Sequence, residues 1–99
     1  MKQTVKDLSD VDFGKYYIIY KIDFLNNICF VEYINDTYKG FSSDVAFAKV
    51  YDPSKVFDFD SLNKRSKRFF KIEFSTKQEL YEKVNNLKLL KEIIWEVII

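Results

Sequence analysis

The chain reads as one small α+β domain: a mostly antiparallel β-sheet, opened by an N-terminal hairpin and completed by later strands, with one main helix near the C-terminus packed on one face. Three observations predict it. Tyr16, Ile18, Tyr20, Ile22 and Phe24 recur at period two before Asn26-Asn27, and a second β-rich run, Ile28 to Asn35, follows. Phe69 to Phe74 alternates in the same way. After it, Leu80, Val84 and Leu87 fall at helical spacing behind a capping pattern. With 99 residues, 47% of them hydrophobic and 31% charged, the chain supplies one core rather than two, so the domain is expected to span 1–99.

Residues 1–14 carry Val5, Leu8, Val11 and Phe13 among Ser and Asp, which predicts an irregular arm or one short turn packed through Phe13. The first strand covers Lys15 to Leu25, where β-branched and aromatic residues dominate. Asn tolerates the left-handed conformation, so Asn26-Asn27 suits a two-residue type I′ turn. That loop sets Phe24 against Cys29, Ile22 against Val31, Tyr20 against Tyr33, and Lys21 against Glu32 as an opposite-charge pair. Ile19 would then oppose Ile34 beside that charge pair, so the second face of the hairpin also needs a cover.

Asn35 to Asp44 is turn-rich around Gly40. Val45 to Tyr51 fits either a short helix capped by Ser43 or Asp44, or a strand with Val45, Phe47 and Tyr51 inward. The strand is favoured, because Asp52-Pro53 closes the segment so soon. Val56 to Asp60 alternates as a short edge strand, and Asp60 or Ser61 suits the cap of a helical turn. The strand at 69–74 should turn Phe70, Ile72 and Phe74 inward. Ser75 and Thr76 precede Gln78 and Glu79 as two overlapping capping boxes, and the helix they start should end near Asn85-Asn86. Ile93, Trp95, Val97 and Ile99 alternate once more, predicting a last strand over 92–99 and a right-handed βαβ unit with the strand at 69–74.

Composition narrows the chemistry. Histidine is absent, which removes the commonest general base and the commonest metal ligand together. Cys29 is the only cysteine, so no internal disulfide forms, and zinc sites of the usual kind lack ligands. It sits on the apolar strand face as an inert thiol. Gly14 and Gly40 stand alone, so there is no glycine-rich phosphate loop. Asp58 and Asp60 place two carboxylates on one strand face, a pair that suits a solvated surface better than a cation site. The reading is therefore no enzyme, no metal and no cofactor. No apolar run approaches a membrane span, and Met1 to Asp7 lacks the core of a signal peptide, so a cytoplasmic location is expected.

What remains points to binding. Residues 1–60 hold seven Lys against nine Asp and one Glu, a balance of −3, whereas 61–99 balance at +4. Both arginines sit in the run Lys64-Arg65-Ser66-Lys67-Arg68, followed by Phe69, Phe70 and Lys71. Lys64, Arg65, Lys67, Arg68 and Lys71 thus form a basic and aromatic run that suits phosphate or carboxylate. Tyr17, Tyr38 and Tyr51 are surplus to a core of this size and suit a protein-binding surface. The scarcity of Gly, Ala and Pro beside abundant Lys, Asn, Ile and Phe suggests a low-GC bacterium, its phage or a plasmid.

The sequence is read first as a non-catalytic protein-binding module, an accessory protein of a phage or mobile element that inhibits a host factor such as a defence nuclease, in the manner of an anti-CRISPR protein. Its partner would be a host protein or a protein–nucleic acid complex. The alternatives are a small nucleic-acid-binding protein that uses the 64–71 run directly, and a structural subunit that pairs into a homodimer.

Overall fold

A computed structural model describes residues 3–11, 14–34, 39–53 and 69–98. Phe13, the expected strand at 56–60, the cap at Asp60 or Ser61, and Ile99 lie outside the described residues. Four strands form one antiparallel sheet in the order β3-β2-β1-β4, with β1 at Tyr16–Ile22, β2 at Ile28–Ile34, β3 at Lys39–Ser42 and β4 at Phe69–Phe74. One long helix, α1, runs from Lys77 to Ile98. The α+β class predicted from the sequence is what the chain adopts.

The hairpin forms, but not in the expected register. Tyr20 opposes Phe30, Lys21 opposes Cys29 and Ile22 opposes Ile28, a shift of three residues from the pairing that a two-residue loop imposes. Asp23 causes the shift. Its carboxylate accepts hydrogen bonds from the amides of Leu25 (3.0 Å) and Asn27 (2.8 Å), and its own amide donates to the Asn27 carbonyl (2.9 Å). The Asn26 amide closes the turn on the Asp23 carbonyl at 2.9 Å, and Asn26 alone takes a left-handed φ, of 67°. This is a three-residue loop, a type I turn followed by a left-handed residue. An Asp that satisfies two amides from inside the turn outweighs the tolerance of Asn27 for a conformation it does not adopt.

The new register sorts the side chains into two buried layers. On one face Ile18, Tyr20, Ile28, Phe30 and Phe74 pack with Leu80, Val84 and Leu87 of α1. Val5, Leu8, Val45, Ala48 and Val50 complete that layer from two short 3-10 turns and the extended residues that follow them. On the opposite face Tyr17, Ile19, Val31, Tyr51 and Phe69 form a second cluster, edged by Phe41. Ile19 is fully buried, so the second face is covered, as the mixed strand pattern requires.

Residues 45–51 divide between the two alternatives. Val45–Phe47 is a 3-10 turn rather than a strand, because Asp44 Oδ1 accepts from the Ala46 amide at 2.9 Å and caps it. Phe47 consequently points outward, with the Lys6 ammonium 5.0 Å from its ring centre. From Lys49 the chain is extended. Lys49 and Tyr51 donate to the carbonyls of Val31 and Tyr17 (both 2.9 Å), while Val50 donates the other way to Gln3. The N-terminal turn Val5–Asp7 is closed by Asp7, whose carboxylate accepts from the Thr4 amide (3.0 Å) and hydroxyl (3.1 Å).

The expected last strand is instead helix, which also removes the βαβ unit. Thr76 caps α1 by accepting from the Glu79 amide at 3.1 Å, and Glu79 reaches back to the Ser75 amide at 3.2 Å. From there nothing stops the helix. No Gly or Pro follows Pro53, and Asn85 and Asn86 each cost at most about 0.7 kcal/mol in a helix interior. The run that alternates at 93–99 also continues the helical series Leu80, Val84, Leu87, Ile94, Ile98, and a dense apolar run satisfies both periods. With 22 residues α1 is about 33 Å long, against roughly 20 Å for the six residues of β4, so it outruns the sheet. No helix among the described residues is long and apolar enough to cross a membrane.

Candidate functional site

The backbone brings together three of the residues singled out from the sequence. Tyr17 and Tyr51 are joined by a reciprocal pair of backbone hydrogen bonds, at 3.0 and 2.9 Å, and their rings stack with centres 5.2 Å apart. Lys71, on β4, sets its ammonium 5.4 Å from the Tyr17 ring centre and 3.8 Å from a Glu73 carboxylate oxygen. Lys71 is exposed, but Tyr17 and Tyr51 are each only 6% exposed. Burial pushes both hydroxyls above the usual tyrosine range, Tyr51 furthest, with Tyr17 beside it adding to the shift. These two rings build the second layer, and little of either meets solvent. Tyr38, Lys64, Arg65, Lys67 and Arg68 lie outside the described residues, as do Asp58 and Asp60.

Around the aromatic layer the lysines repeat one arrangement. Lys21 sits 4.2 Å above the Phe41 ring and Lys49 sits 5.1 Å above Tyr51, while Phe41 in turn stacks on Phe69 at 6.4 Å. Each ammonium faces a ring whose negative face attracts it. On the first face Phe70 stacks on Tyr20 at 5.3 Å yet keeps 48% of its surface exposed, so the inward placement expected for it holds only in part.

A feature the sequence reading passed over is the hairpin tip. Phe24, expected on the apolar strand face, occupies the turn and is 94% exposed, and Leu25 beside it is 67% exposed. The signal was present in the sequence as Asp23 three residues ahead of Asn26, the spacing of a turn closed by its own Asp. A second apolar exposure lies on α1 beyond the end of its core stripe, where Leu89 and Leu90 are both more than half exposed. Leu90 also lines a shallow groove between α1 and β4, with Tyr20, Ile72 and Leu87 as its apolar floor and Lys71 and Lys83 at its rim.

Ionisable groups in the described part do structural work. Asp7 is held below the usual carboxylate range by the Thr4 amide, Asp23 by the Asn27 amide, and Glu79 by the Lys83 ammonium. Cys29 is half-buried opposite Lys21, and its thiol donates to Asp23 Oδ2 at 3.7 Å. Among the described residues no three His, Cys, Asp or Glu side chains gather to hold a metal ion. Comparison with known proteins finds no matching family model, no matching curated protein and no matching solved structure.

Proposed function

We propose that this chain is a non-catalytic protein-binding module, a cytoplasmic accessory protein of a phage or mobile element of a low-GC bacterium that inhibits a host factor such as a defence nuclease. The observation that carries the reading is the exposure of Phe24, Leu25, Leu89 and Leu90, at 94, 67, 55 and 57%, on a chain that buries Ile18, Ile19 and Phe30 completely. Phe24 beside Leu25 and Leu89 beside Leu90 gather apolar surface in pairs rather than singly, which supports a surface that meets a partner. The structural use of Asp7, Asp23 and Glu79 fits a surface built for contact rather than for proton transfer. The test is affinity purification of the tagged chain from a low-GC host after nuclease treatment. One host protein in stoichiometric amount supports the reading, and failure across several hosts refutes it.

Direct nucleic-acid binding is the second reading, favoured by the exposed pair Phe70 and Lys71 directly after the 64–68 basic run. It requires binding to single-stranded DNA or RNA that falls steeply with salt and weakens when Arg65 and Arg68 are both changed to Ala.

A further inference from the structure

We draw no further inference here: the strongest candidate, the groove between α1 and β4 floored by Tyr20, Ile72, Leu87 and Leu90, has both lysines at its rim engaged by Glu73 and Glu79, and nothing in the structure shows what covers it.

Discussion

The two faces of the sheet hold together by different means. On the first, Ile18 and Phe30 are fully buried against Leu80 and Val84 of α1, so strands, helix and N-terminal turn share one largely aliphatic layer. On the second, Ile19 and Val31 lie beneath stacked rings, Tyr17 on Tyr51 and Phe41 on Phe69, with lysines over three of them. The first layer ties sequence-distant elements together mainly through dispersion and burial, which are indifferent to charge and pH, with Tyr20 its one buried tyrosine hydroxyl. The second relies more on stacked rings and adds cation–π contacts and two of the three buried tyrosine hydroxyls, and the last two respond to charge and pH. One sheet thus carries a layer that fixes the fold and a layer that responds to its medium.

Truncating each layer at its centre should separate them. Phe30→Ala removes a wholly buried ring from beneath the helix and should cost about 3–5 kcal/mol, measured by chemical denaturation. Ile19→Ala, on the neighbouring strand but the other face, should cost about 2–4 kcal/mol. Helical circular dichroism is the sharper readout. If α1 is clamped through the first face alone, it should fray in Phe30→Ala and persist in Ile19→Ala at denaturant concentrations where both chains remain mostly folded. Equal helix loss in both variants would merge the two layers into one.

The same division explains what the sequence disclosed. Period-two runs located β1 and β4, a β-rich run after the turn located β2, and Thr76 with Glu79 marked the start of α1. The hairpin register was lost because a single side chain, Asp23, chose the loop length, and apolar pairing alone scored the wrong register well. The end of α1 was lost because a dense apolar run fits both periods. Of the candidate site, the meeting of Tyr17, Tyr51 and Lys71 depends on pairing between residues far apart in the chain, which no local pattern encodes. Phe24 was misplaced together with the register, and with it the exposed tip.

Alkaline pH should act on the tyrosine-lined layer most. Burial raises the hydroxyls of Tyr17, Tyr20 and Tyr51 above their ordinary value near 10, Tyr51 furthest. A raised folded-state pKa means that the unfolded chain loses its proton first. The stability tied to these groups is thus intact below about pH 10 and falls as pH rises from there through the folded values. Two of the three rings belong to the second face. Tyr51→Phe keeps the stacked ring and removes the most perturbed proton, so its unfolding midpoint should decline less steeply above pH 10 than that of the original chain. Parallel declines would mean that Tyr51 does not govern the alkaline limb.

The smallest effect should come from the lysines that edge the second face. Lys21 lies closer to its ring, 4.2 Å from the centre of Phe41, than Lys49 and Lys71 do to theirs, and it is half-buried on β1. Lys21→Gln retains much of the stem and removes the charge, so the loss should be about 0.5–1 kcal/mol. The matched variant Lys21→Arg should recover most of it, since a guanidinium also stacks on an aromatic face. Because the contact is only partly shielded from water, the difference between Gln and Lys should shrink as salt rises toward about 1 M. If Lys21→Gln proves neutral at low salt, the ammonium merely rests on Phe41, and the second face depends on its stacked rings alone.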